Sequence, residues 1–263
     1  MMRLRDFVND VIFRPDRRSY WHPAHFGLKG EGFSCAADDG ETLSGLVIQA
    51  LNCESRNARG TVLFCHAALM NLQFHLPQAA FLAQAGFNVA MFDYRGFGGS
   101  AGRSRMSTIG GDARCVLSWI EESPWANPNM SLFGQGLGCD AALQLLHRVP
   151  QRFQHLILEA PYARRGGWLR ERWGPLIGDV AARAVKIDEP EPEVVLAEVR
   201  TPALVFYPEH CTFVRRGQRR RVAESLSGRA ACVEVPGAKF LGIFGTGRTE
   251  PQARVLEFLS HHA

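Results

Sequence analysis

In the run Gly134-Gln135-Gly136-Leu137-Gly138 the outer glycines have the spacing of a nucleophile elbow, Gly-x-Ser-x-Gly. Such an elbow is a tight strand-to-helix turn that lifts one hydroxyl above the end of a sheet. There an oriented base takes its proton and the oxygen attacks a carbonyl carbon. Here the central residue is Gly136, which has no side chain and cannot attack. Other groups able to do chemistry are dispersed. Cys139 follows the turn by three residues and reads as a core residue of the helix. His210 and Cys211 are adjacent, and adjacent residues rarely aim their side chains at each other. Glu159 and Glu209 supply carboxylates with no obvious histidine partner, and His75 and His147 sit in helical contexts. No His/Cys/Asp spacing matches a metal site, and no cofactor is expected.

Hydrophobic patterning shows which elements must hold this turn. Residues 129–133 form a short apolar strand into the glycines, and an alanine-rich helix follows. Residues 61–65, 88–92, 155–160, 203–207 and 231–235 read as further buried strands. Helices are predicted at about 76–84, 112–121, 217–226 and 252–259. Asp38-Asp39-Gly40 between two strand-like runs predicts a hairpin. Residues 2–13 carry apolar side chains near helical spacing and predict a helix packed on the domain. Buried strands alternating with helices predict an α/β fold with a mostly parallel, twisted sheet covered on both faces. Residues 161–199, rich in Arg, Trp and Pro, break that rhythm and predict a small cap. The whole chain, 1–263, reads as one domain with an N-terminal extension at 1–30.

With 263 residues and 46% hydrophobic content the chain can bury one large core. Its net charge of +4 points to no particular partner by itself. The seven cysteines are scattered, odd in number and without a C-x-x-C pair, which predicts free thiols and a cytoplasmic location. Charges in Arg3, Arg5 and Asp6 fall where a signal peptide needs an apolar core. No apolar run approaches the ~20 residues of a membrane span.

The landmarks together resemble the alpha/beta-hydrolase superfamily over nearly the whole chain, most nearly its small-capped, lysophospholipase-like or serine-aminopeptidase-like branch. Phe92-Asp93-Tyr94-Arg95-Gly96-Phe97-Gly98-Gly99-Ser100 is similar to that branch's Asp-Tyr-Arg-Gly-x-Gly-x-Ser loop. His66-Ala67-Ala68 resembles its His-Gly oxyanion loop, and Thr201-Pro202-Ala203-Leu204-Val205 the strand before its acid. The resemblance implies an alpha/beta-hydrolase fold and a Ser-His-Asp triad. At the three triad positions it places Gly136 for the nucleophile, Cys211 for the acid and Phe240 for the base. It also implies an oxyanion-hole-like set of backbone N–H groups at Ala67, Ala68 and Leu137. Triad members act as a unit, so three coincident losses remove the mechanism.

One positive signal is charge. Arg215, Arg216, Arg219, Arg220 and Arg221 follow the degenerate acid position, Lys239 adjoins the degenerate base position, and Arg164, Arg165, Arg170 and Arg172 lie in the cap segment. In this fold those loops share the ligand-binding edge of the sheet. The expectation is a catalytically inactive, alpha/beta-hydrolase-like protein that binds a small, anionic ligand or a protein partner. Its candidate binding residues are His66, Arg164, Arg165, His210, Arg215, Arg216 and Lys239. Nucleic acid is not expected, because basic and aromatic residues do not interleave in a recognised module. The alternatives are a non-hydrolytic enzyme using the surviving amides, or an esterase with its serine displaced to Ser100 or Ser107.

Overall fold

A computed structural model describes residues 3–260. The chain opens with α1 (Leu4–Ile12), β1 (Arg14–Pro15), β2 (Gly30–Ala36), β3 (Thr42–Ile48), β4 (Thr61–Cys65) and β5 (Leu69–Met70). It continues through α2 (Leu72–Gln84), β6 (Asn88–Phe92), α3 (Ile109–Glu121), β7 (Met130–Gln135), α4 (Gly138–Arg148) and β8 (His155–Glu159). Three cap helices follow: α5 (Arg165–Trp173), α6 (Pro175–Ala184) and α7 (Pro192–Glu198). The chain then returns to the sheet with β9 (Ala203–His210), α8 (Arg216–Leu226), β10 (Ala230–Lys239) and α9 (Thr249–Ser260).

Eight strands form one sheet in the order β10-β9-β8-β7-β4-β6-β3-β2. The β2–β3 and β3–β6 pairs are antiparallel and the rest parallel. Every residue of β4, β6, β7 and β8 is buried, as expected of parallel strands covered on both faces. Alternate side chains feed two cores. Leu63 and Cys65 join one cluster, Val62 and Phe64 the other. Strand order reverses around β4, with β6 on one side and β7 on the other. A crevice therefore opens beyond the carboxyl ends of β4 and β7, where open α/β sheets take ligands.

Helix α2 begins one turn before the predicted start. The Asn71 side chain accepts hydrogen bonds from the Gln73 and Phe74 N–H groups and caps it. The predicted strand at 231–235 runs on as β10 to Lys239, with a register shift between Val235 and Lys239, so Phe240 comes directly off its end. The N-terminal helix covers Leu4–Ile12 and packs against α6 of the cap. Met2, where the predicted helix began, lies outside the described residues. Two residues of β1 then pair in parallel with β5, Arg14 opposite Leu69. That pairing lays the N-terminal segment across the oxyanion-like loop. Among the described residues no helix is long and apolar enough to cross a membrane.

Candidate functional site

The elbow is present as a backbone feature. Gly136 has φ +57°, the left-handed conformation of the turn, and its N–H donates to the Glu159 carbonyl at 2.8 Å. A Cβ on Gly138 would lie 2.0 Å from the Cys65 carbonyl oxygen, so only glycine lets α4 start this close to the end of β4. Above Gly136 lies the ring of Phe240. A Cβ on Gly136 would come within 2.8 Å of the Phe240 Cζ and 3.4 Å of the Ala67 Cβ. The structure thus brings into contact two of the three positions at which the resemblance expects a triad. The ring occupies the space into which a nucleophile's side chain would project.

Phe240 is the first rung of an aromatic ladder. It stacks on Phe213 with centroids 4.7 Å apart and planes 6° from parallel, and Phe213 packs on Trp168 at 5.2 Å. Trp168 stacks on Tyr162 at 5.1 Å, and its indole N–H donates to the Phe213 carbonyl at 3.0 Å. Beside the ladder is a cavity of about 240 Å³ lined by Ile12, Arg14, Ala67, Ala68, Leu69, Leu137, Trp168, Arg172, Thr212, Phe213 and Phe240. The expected amide residues Ala67, Ala68 and Leu137 all line it. Cys211 sits at the turn after β9, where its sulfur accepts the Val214 N–H at 3.4 Å. The acid loop contributes its next residues, Thr212 and Phe213, to the cavity instead.

Behind the elbow a buried polar chain crosses the sheet. The Gln135 amide donates to Glu159 Oε2 at 2.6 Å, and its oxygen lies 2.7 Å from His75 Nδ1; His75 Nε2 lies 3.0 Å from the Leu69 carbonyl. Glu159 Oε1 accepts the N–H of Leu241 at 3.2 Å. Burial pushes the Glu159 carboxyl up to about 7, against the lowering effect of the Gln135 and Leu241 hydrogen bonds. Burial also lowers His75 to about 4. Leu241 itself holds φ +63°, so the carboxyl anchors a strained residue next to Phe240.

Several expected binding residues lie elsewhere. His66 is fully buried under the loop, stacked on His75 at 5.0 Å, with Nδ1 2.7 Å from the Ala67 carbonyl. It supports the loop and does not face the cavity. Arg165 is a correction of the same kind: its guanidinium makes two bonds of 2.7 Å to the Asp140 carboxylate. A salt bridge within the fold consumes it. Arg164 pairs with Glu193 and is also consumed. His210 and Lys239 face each other in register at the exposed ends of β9 and β10, away from the cavity, and Arg216 opens α8. Arg215 borders a neighbouring depression that shares Trp168, Arg172, Thr212 and Phe213 with the cavity. The alternative nucleophiles are not poised. Ser100 is buried, donates to the Asp93 carbonyl at 2.7 Å and accepts the Ser44 N–H at 2.8 Å; Ser107 is on another face. Among the described residues no group of three or more His, Cys, Asp or Glu is placed to hold a metal ion.

Sequence reasoning missed Arg14, Ile12 and Leu69. The pairing of β1 with β5 delivers them, and a two-residue long-range pairing leaves no local sequence pattern.

Residues 56–189 match the family described as Serine aminopeptidase, S33. The uncharacterized protein YfhR of Escherichia coli K12 is 29% identical over 159 residues, covering 60% of this chain and 52% of that protein. Protein bem46 of Schizosaccharomyces pombe is 30% identical over 139 residues, 52% of this chain and 46% of that one. Lysophosphatidylserine lipase ABHD12 of Xenopus tropicalis is 37% identical over 84 residues, 31% of this chain and 22% of the lipase. In these alignments the chain spans about half the length of the curated relatives first matched, or less. Among solved structures, the Pyrococcus furiosus esterase Pf2001 superposes with a TM-score of 0.76 at 18% identity, over 95% of this chain and 97% of the esterase. At that identity the likeness concerns the fold.

Proposed function

We propose a non-hydrolytic binding role, from the premise that the chain belongs to the serine aminopeptidase S33 family, in the esterase and lipase branch of the alpha/beta hydrolases. It keeps the family's sheet, elbow and cleft and uses the cleft to hold a small ligand. The contact between Gly136 and the Phe240 ring carries this reading. With no hydroxyl at the elbow, no imidazole at the base position and a thiol at the acid position, the proton relay of a serine hydrolase has no members. A concave cavity of about 240 Å³ favours a small molecule over a protein partner, since ligand sites are concave and mostly apolar with few polar groups. Unpaired cysteines suit the cytoplasmic location expected from the sequence.

The test is hydrolysis of p-nitrophenyl esters of graded chain length, beside labelling by a fluorophosphonate. The expected outcome is no enzyme-dependent turnover and no labelled serine. Stoichiometric labelling of any serine would overturn the reading, and mapping it would locate the true nucleophile.

A further inference from the structure

We propose that the cavity takes a small amphiphilic oxyanion, its carboxylate or phosphate head between Arg14 and Arg172 and its apolar body against Phe213 and Phe240. The inference rests on the cavity being a binding site and names what it binds. Among the described residues two cations line this one small space, and no carboxylate does. Neither guanidinium makes an ion pair or a hydrogen bond with another described residue. Most of the other cap and rim arginines differ: Arg164, Arg165, Arg170, Arg219 and Arg221 all have acidic partners. Arg172 is held over the Trp168 ring at 6.0 Å, and burial together with the Arg14 charge lowers its pKa. Like charges facing a shared cavity repel, and an anion between them turns that repulsion into two charge-assisted hydrogen bonds.

Arg14 is fixed by the strand pairing, its N–H donating to the Ala68 carbonyl at 3.0 Å. Both guanidiniums reach solvent, so the head belongs at the mouth. Apart from Thr212 the remaining lining is apolar, made of Ile12, Leu69, Leu137, two alanines and the rings of Trp168, Phe213 and Phe240, which suits an apolar body pointing inward. The neighbouring depression brings Glu171 beside Arg172 and Arg215, so it is the poorer place for a second negative charge.

Calorimetric titration of the full chain tests this, with octanoate, octyl phosphate, octanol and inorganic phosphate as ligands. At least one of the two anionic amphiphiles is expected to bind about tenfold or more tightly than octanol, and the tighter of them identifies the head group. Inorganic phosphate, lacking the body, should bind more weakly than octyl phosphate. Raising salt from about 0.05 to about 0.5 M should weaken the anions and leave octanol unchanged. Arg14→Gln and Arg172→Gln should each weaken the anions by about tenfold. Arg172→Lys should restore part of the loss, and Arg254→Gln, a change of equal charge on α9, should have no effect. Near-ultraviolet circular dichroism confirms that each variant is folded. Equal binding of octanol and octanoate, unchanged affinity in both cavity variants, or no binding of any ligand would overturn the proposal. Octanoyl p-nitrophenyl ester run on the same preparation separates the two readings. Turnover there sinks the non-hydrolytic role and leaves the arginine effects to be judged by themselves. Absent arginine effects without turnover sink only the oxyanion.

Discussion

Gly136 and Phe240 act as one unit. A side chain at 136 must adopt φ +57° and displace the Phe240 ring 2.8 Å from its Cβ. Gly136→Ser is therefore expected to cost about 1–3 kcal/mol, read as a lower urea midpoint, and to remain unlabelled by fluorophosphonate because the expected base position holds Phe240 and not an imidazole. A second residue-scale prediction concerns Glu159. Its carboxyl is pushed up to about 7 by burial, whereas the unfolded chain titrates near the usual 4.5. Between those values the folded state holds the extra proton. The group's contribution to stability is thus fullest below about pH 4.5 and falls as the pH rises to about 7. Relative to Glu159→Gln, the native chain should lose stability across that window and no further above it; a pH-independent difference would refute the shift. Neither the Phe240 contact nor the Glu159 anchor is legible from sequence. The landmark motifs are read from local sequence, but contacts between the ends of distant strands depend on the sheet register.

At the scale of elements, a buried strut ties α5 to α4. Arg165 on α5 grips Asp140 on α4, and the Tyr162 hydroxyl donates to the same carboxylate at 2.6 Å. Removing Asp140 leaves the buried guanidinium with only Glu191, at 3.7 Å, as an acidic partner. Asp140→Ala should therefore cost about 3–5 kcal/mol, and pairing it with Arg165→Met should recover much of that in a double-mutant cycle. The strands and the main helices were legible because buried parallel strands are continuous apolar runs between helical patterns. Element ends were less so: capping by Asn71 moved α2 a turn earlier, and β10 outran its apolar run to Lys239. Arg165 looked like a rim cation because sequence shows the charge of an arginine and not its partner.

Over the whole molecule, the N-terminal segment belongs to the main body. Phe13 is buried and packs edge-on against Tyr94 and Phe97, each at 6.5 Å, while Asp6 and Asp10 pair with Arg105 and Arg103. Phe13→Ala should cost about 3–5 kcal/mol, as for a core aromatic, and should shift the midpoint of one cooperative transition seen alike by near- and far-ultraviolet circular dichroism. A separate early transition would show that the segment melts by itself. The sequence predicts a packed helix within an N-terminal extension at 1–30. Its part in the cavity came only from the pairing of Arg14 with Leu69.

The ring above Gly136 also bears on how the molecule could change over generations. Gly136→Ser arriving first meets a steric penalty and gains no chemistry. Phe240→His arriving first removes a rung of the ladder and has no hydroxyl to deprotonate. Either order passes through an intermediate worse than its parent, and an acid must still be found. The contact works as a ratchet: on the proposed non-hydrolytic reading the two positions are coupled by packing, and neither substitution alone rebuilds a proton relay.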